Sequence, residues 1–226
     1  MTIDEYFGDW MKVLDRTETM KIMGWLRTLN QSTLCPSIKD IFKAFKLCPY
    51  NNCRVIFIGQ DPYCQRGVAQ GVLFGNSSDT PESKLSPSLQ VIKESVINFE
   101  IPHNLITFDP TLESWAKQGI LMLNSSLTTE VNKIGVHIMK WRPFMVAFLK
   151  QMSLINPGIV YVLFGSKAQV LEPYISKNNY VIKIEHPAYF ARTHKKMPYH
   201  IWHDINNKLY ELYGERIEWF KEEVFN

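Results

Sequence analysis

Val55-Ile56-Phe57-Ile58-Gly59-Gln60-Asp61-Pro62-Tyr63 is the stretch on which the fold turns. Four apolar residues, three of them β-branched, run into a glycine and then a polar turn. A run this short and apolar at every position is what a strand covered on both faces requires. Three other runs share the pattern: Ile120-Leu121-Met122-Leu123, Ile159-Val160-Tyr161-Val162-Leu163-Phe164 and Tyr180-Val181-Ile182-Lys183-Ile184. Longer amphipathic stretches, such as residues 89–99 and 144–154, lie between them. Strands alternating with helical segments predict βαβ crossovers and a central four-stranded parallel sheet. The run ends are Gly59 to Tyr63, Asn124-Ser125-Ser126, Gly165-Ser166-Lys167 and Glu185-His186-Pro187. Ligands of open parallel sheets bind beyond the carboxyl ends of the strands, so these polar groups are expected along one edge.

Before the first run, residues 1–48 read as helical. Trp10, Val13 and Leu14 have helix spacing, as do Ile22, Trp25, Leu26 and Leu29. Pro36 is placed to open a further helix with Ile38, Ile41, Phe42 and Phe45 on one face. The length of 226 residues suits one domain, 1–226, rather than two. A hydrophobic content of 46% against 21% charged residues excludes a disordered chain. The net charge of +3 excludes a histone-like polycation and leaves a nucleic-acid enzyme open, because the placement of charge decides binding. Cys35, Cys48, Cys53 and Cys64 form no C-x-x-C pair and do not alternate with His at zinc spacing. Free thiols in a reducing compartment are expected, with no metal. No apolar run of 18 residues and no secretory leader is present. The expectation is a soluble, intracellular protein, cytoplasmic or nuclear, with no membrane contact.

Each candidate residue has an ordinary reading beside its chemical one. Asp61, between Gly-Gln and Pro, is a natural turn former, and equally a carboxylate able to orient water or face a developing cation. Asn124 could cap a helix, or read a donor–acceptor edge through its carboxamide. His186 could be a loop histidine, or a neutral imidazole donating to a leaving anion. Tyr63, Phe74, Tyr189 and Phe190 could be core, or a stacking platform for a nucleobase. Gly165-Ser166-Lys167 lacks the upstream glycine of a phosphate loop, and no dinucleotide fingerprint, nucleophile elbow or deaminase zinc signature occurs.

Taken together, these motifs resemble the family 1 uracil-DNA glycosylases. Gly59-Gln60-Asp61-Pro62-Tyr63 with Ala69-x-Gly71-x-x-Phe74 resembles the family's water-activating motif. Ile41-Phe42-Lys43-Ala44-Phe45 resembles the preceding helix, and Ser86-Pro87-Ser88-Leu89 the proline-rich loop. Leu121-Met122-Leu123-Asn124-x-x-Leu127-Thr128 resembles the uracil-reading strand. Phe164-Gly165-Ser166-x-Ala168-Gln169 resembles the glycine-serine loop, and His186-Pro187 with residues 188–194 the leucine-intercalation loop.

The resemblance implies an α/β/α sandwich around the parallel sheet, and a monofunctional DNA N-glycosylase that needs no cofactor. Asp61 would orient the attacking water and stabilise the oxocarbenium-like sugar, and His186 would stabilise the departing uracil anion. Asn124 would read the O4/N3 edge, Gln60 would contact uracil through its backbone, Phe74 would stack, and Tyr63 would exclude a C5 methyl. Ser88, Ser166 and the loop with Tyr189 and Phe190 would grip DNA. The implied partners of this monomer are uracil-containing DNA and a DNA-mimicking protein inhibitor. Base chemistry of this kind requires extrusion of the nucleotide from the stack.

The chain departs from the family pattern in three places, one of them the proline-rich loop, which is thinned to Pro87 with Pro81 nearby. Cys64 stands where the family has a histidine, and Ala188-Tyr189-Phe190 replaces Ser-Pro-Leu. Phe190 falls at the wedge position, where a phenyl ring is an acceptable apolar insert. This altered loop keeps open a non-enzymatic DNA-binding accessory protein; a hydrolase of free nucleosides is the more distant alternative. The net charge conceals a polarity. Arg192, Lys195, Lys196 and Lys208 oppose Asp204 alone in residues 186–208, whereas residues 209–226 hold five acidic and two basic residues. Modest, salt-sensitive DNA affinity at one edge of the sheet is expected.

Overall fold

The computed structural model describes residues 2–99 and 105–222. Its centre is a four-stranded parallel sheet of β1 (Val55–Gly59), β2 (Ile120–Asn124), β3 (Val160–Phe164) and β4 (Tyr180–Ile184), in the order β2-β1-β3-β4. These are the four expected runs. Gly59 pairs with Asn124 and Phe164 with Ile184, so the carboxyl ends are level.

Alternation along the strands sends successive side chains to opposite faces, and each face nucleates its own core. Ile56, Ile58, Leu121, Leu123, Tyr161 and Leu163 pack with the helices Arg16–Leu26, Lys43–Leu47 and Ile138–Ile155. Val55, Phe57, Ile120, Met122, Val160 and Val162 pack with Pro87–Phe99, Glu113–Lys117, Pro187–Thr193 and His200–Tyr213. The result is the expected three-layer α/β/α arrangement. No helix among the described residues is long and apolar enough to cross a membrane.

Two expectations need correction. β4 is an edge strand, and its side chains are half-buried or exposed rather than covered on both faces. The helix expected from Pro36 is split into a 3₁₀ turn, Ile38–Asp40, and a short helix, Lys43–Leu47. Ser37 donates its hydroxyl to Asp40 Oδ2 at 2.6 Å, closing one turn locally, a competition with helix propagation that short polar side chains often win. Ile38 is left exposed while Ile41, Phe42 and Phe45 reach the core.

Candidate active site

The level strand ends open onto a cavity of about 720 Å³. Its floor is made where β1 meets β2. A Cβ on Gly59 would lie 2.4 Å from Leu73 Cδ1 and 2.8 Å from Asn124 Oδ1, so only glycine lets the Asn124 carboxamide lie against the strand end. Asn124 is 8% exposed, and its Oδ1 is buried without a hydrogen-bond partner. A buried acceptor left unpaired costs about 1–3 kcal/mol, a deficit that a donor on a ligand would remove. The strand pairing continues past its last residues. Ser125 N–H donates to the Gly59 carbonyl at 2.9 Å, and the Gln60 carbonyl accepts Ser126 N–H at 3.1 Å and Ser125 Oγ–H at 2.6 Å. The Gln60-Asp61 turn is thereby fixed.

Aromatic rings form the walls. Phe74 takes a left-handed backbone conformation, φ 62°, a strained state for a non-glycine residue of the kind that clusters at functional sites. Its ring meets Phe164 and His186 edge-on, with centroid distances of 5.2 and 5.4 Å. Tyr63 donates its hydroxyl to the Phe74 carbonyl at 3.2 Å. Burial pushes the Tyr63 phenol well above its ordinary value, so it stays protonated beside Ser86 and Ser88.

Two titratable groups, Asp61 and His186, line this space. Burial raises the Asp61 pKa, while the Gly135 amide and the Gln60 side chain pull it back down. Gly135 N–H donates to Asp61 Oδ2 in a short hydrogen bond. His186 is the N-cap of the helix Pro187–Thr193, and its Nδ1 accepts Ala188 N–H at 3.2 Å. Burial, aided by the positive charge of Arg192, pushes its pKa down to about 4. The ring is therefore neutral at pH 7 and carries its proton on Nε2. Gly165 makes this placement possible: at φ 80° its missing Cβ would lie 2.8 Å from His186 Cβ.

Of the residues expected at the site, Gln60, Asp61, Tyr63, Phe74, Ser88, Asn124, Ser166, His186 and Tyr189 all line the cavity. Ser88 is buried, Ser166 exposed and Tyr189 half-buried. Phe190 is not brought to the cavity. It is 7% exposed and packs into the core beneath the sheet, so the aromatic group at the rim is its neighbour Tyr189. Arg192 lines the cavity, and Lys195 lies 5.7 Å above the Tyr189 ring. Lys208 instead pairs with Glu211 at 2.5 Å on the His200–Tyr213 helix. Residues 223–226 of the acidic stretch lie outside the described residues. Sequence reasoning missed Ile134, which is 73% exposed yet lines the cavity, and Gly135. An apolar residue inside a polar loop was the available signal for the first; a backbone donor has none. Among the described residues no group of three or more His, Cys, Asp and Glu side chains is arranged to hold a metal ion.

This chain is similar to known proteins over most of its length. Residues 45–210 match the model of the uracil DNA glycosylase superfamily. A curated uracil-DNA glycosylase of Fusobacterium nucleatum is 30% identical over 222 residues, covering 94% of this chain and 95% of the relative. One of Campylobacter jejuni is 36% identical over 176 residues, covering 75% and 72%. Among solved structures, mimivirus uracil-DNA glycosylase superposes with a TM-score of 0.74 at 21% identity, covering 97% of this chain and 93% of that one. A substituted mimivirus chain solved in complex with UGI gives 0.73 at 20% identity, covering 93% and 90%. The family model and the curated relatives together place the chain in the uracil-DNA glycosylase superfamily.

Proposed function

We propose that the chain is a family 1 uracil-DNA glycosylase that hydrolyses the N-glycosidic bond of an extruded deoxyuridine and leaves an abasic site. The observation that carries this reading is the buried, unpartnered Asn124 Oδ1 at the floor of the cavity. Uracil supplies an N3–H donor to Oδ1 while its O4 accepts from Asn124 Nδ2. Cytosine lacks the N3 proton and presents an amino group where Nδ2 also donates, so both contacts fail. Phe74 offers a ring face to the base, and Tyr63 excludes a methyl at C5.

The chemistry follows from the two titratable groups. As the C1′–N1 bond breaks, its electron pair leaves with uracil, and the negative charge gathers toward O2. The neutral His186 donates Nε2–H to that oxygen. The Asp61 carboxylate faces the cationic sugar and takes one proton from water as the water oxygen bonds to C1′. That proton is finally returned to the uracil anion, so one water is consumed and one uracil released. Ser88, Ser166 and Arg192 are assigned to the DNA backbone, and Tyr189 to the gap left by the extruded base. Phe190 supports Tyr189 from the core. The same rim would receive a DNA-mimicking protein inhibitor. The protein is assigned as a single-domain monomer of a reducing, intracellular compartment, in keeping with four free cysteines.

A labelled oligonucleotide with one uracil, incubated with protein in EDTA, tests the proposal. Uracil release with an intact thymine control is expected. No release, or equal release of thymine, refutes it.

A further inference from the structure

The loop that carries the Gly135 amide to Asp61 is held from behind by a buried polar cluster that the chemistry above does not use. His137, 6% exposed, ends the loop and is the N-cap residue of the Ile138–Ile155 helix. Its Nδ1 lies 3.0 Å from Thr128 Oγ1. That oxygen also accepts Trp141 Nε1–H at 2.7 Å, which ties the His137 ring to the first turn of the helix. Nε2 faces Glu130 Oε1 at 3.6 Å. Trp25 closes one side edge-on, with a centroid distance of 4.9 Å. Burial lowers the pKa of the ring, against the opposing pull of Glu130. Further along the loop, Val131 N–H donates to the Thr33 carbonyl at 2.7 Å and Asn132 N–H to the Cys64 carbonyl at 2.9 Å.

Between these anchors the backbone has little freedom. Gly135 has φ 72°, and its carbonyl accepts Ile138 N–H at 3.2 Å, closing the turn that His137 occupies. Movement of His137 therefore swings the Gly135 N–H, the one donor that crosses from this loop to Asp61 among the described residues. We propose that His137 is a positioning residue for hydrolysis: through the end of this loop it holds the Gly135 N–H on Asp61 and so sets the carboxylate's orientation. The inference rests on the role assigned to Asp61 above.

The consequence is readable in pH. Without the amide, the buried carboxylate loses its main compensation and holds a proton to higher pH. A protonated Asp61 can neither accept from water nor face a cation. The other titratable groups around it are Tyr63 and Cys64 on its own loop, Lys167 after β3, and Glu185, His186 and Arg192 after β4. On the Gly135 loop they are Glu130, Lys133 and His137. All of them remain in a His137 variant except His137 itself, whose pKa burial lowers.

Uracil release is measured from pH 5 to 9 for wild type, His137→Leu, His137→Asn and Asp61→Asn. In His137→Leu the acid limb of the kcat profile should move up by about half to one unit, which costs roughly 3–10-fold on the limb and little at pH 9. His137→Asn places a carboxamide near the Nδ1 position, able to donate to or accept from the Thr128 hydroxyl, and should restore most of the profile. An equal loss at every pH, or a lower Tm with an unshifted limb, overturns the proposal. Should His137→Leu fail to fold, His137→Gln, whose amide lies one bond beyond the Nδ1 position and leaves the Thr128 hydroxyl without its ring partner, takes its place under the same criteria. Wild-type turnover in Asp61→Asn would defeat the role of Asp61 itself. An inactive Asp61→Asn beside unshifted His137 variants would defeat the positioning role alone.

Discussion

Gly59→Ala is the smallest change that reaches the floor of the cavity from the core side. The new methyl would sit about 1 Å inside ordinary contact with Leu73 Cδ1 and about 0.6 Å inside it with Asn124 Oδ1, taking 3.4 Å as the limit. Leu73 is packed in the core, and its methyl can yield only by disturbing neighbours. Overpacking of this kind costs about 1–3 kcal/mol, and at about 2–4 °C per kcal/mol for a chain of this size Tm should fall roughly 2–12 °C. The displaced group on the other side is Asn124, the proposed base reader. A misplacement near 1 Å costs on the order of 100-fold in rate, so roughly a tenfold loss of kcat/KM is expected from the smaller shift. Uracil release per folded molecule, assayed well below Tm, separates this from simple destabilisation. Gly24→Ala serves as the control, because a Cβ there meets nothing within 4 Å in the Arg16–Leu26 helix; it should leave activity intact and Tm equal or higher. Gly59→Ala with the expected drop in Tm and wild-type kcat/KM would show that Asn124 does not read the base.

Other perturbations test the remaining parts. Asp61→Asn should abolish most turnover, keep DNA binding and raise Tm at pH 7: the Asp61 pKa is raised by burial, so its ionised form opposes folding. Calorimetry showing that Tm gain shrinking toward pH 4 would agree, and a lower Tm at pH 7 would refute the sign. His186, pushed down to about 4 from 6.5, binds fewer protons folded than unfolded between those values, so its contribution is complete above pH 6.5 and is lost as pH falls toward 4. Replacing it with Asn should therefore flatten the fall in stability between pH 7 and 4.5, and an unchanged slope in denaturant titrations would count against it. Phe190→Ala should cost about 3–5 kcal/mol of stability, whereas Tyr189→Ala should weaken duplex binding with Tm unchanged; fluorescence anisotropy and thermal melts showing the reverse would return the wedge to Phe190.

The sheet was legible because β1, β2 and β3 are buried on both faces, and burial on both faces leaves no polar alternation to misread. β4 read the same way and is an edge, because Ile182 and Ile184 face one core while Lys183 points outward to Glu172. The position of a strand within a sheet is decided by topology, which periodicity does not encode. Pocket residues were legible for a related reason. Gln60, Asn124, Ser166 and His186 each sit one or two positions beyond an apolar run, where parallel strands deliver side chains to a common edge. The intercalation loop broke this logic. Residues 187–193 form a helix, and neighbouring helical residues point about 100° apart. An alignment by position put Phe190 at the wedge, whereas the helix turns Phe190 inward and Tyr189 to the rim. Gly135 acts through its amide, and a backbone donor carries no residue-type signature at all.

What the site does to its own protein explains why it needs so much behind it. Asn124 Oδ1 is buried unpaired, Phe74 holds a left-handed backbone, and Asp61 is buried with its charge opposed by burial. Each is unfavourable in the free protein, with backbone strain and orphaned polar groups both in the range of about 1–3 kcal/mol. They persist because the neighbouring structure cannot relax: Gly59 lies against the carboxamide, Phe164 and His186 flank the Phe74 ring, and the loop ending at His137 holds the amide on Asp61. In the proposed reaction an extruded uracil would supply a donor to Asn124, and the departing anion and cationic sugar would supply the charges that His186 and Asp61 face. The unfavourable terms are then the ones that base and transition state would relieve, and discrimination would arise there. A thymine that Tyr63 keeps out, or a cytosine that leaves Asn124 unsatisfied, would meet the same strained site and relieve none of it.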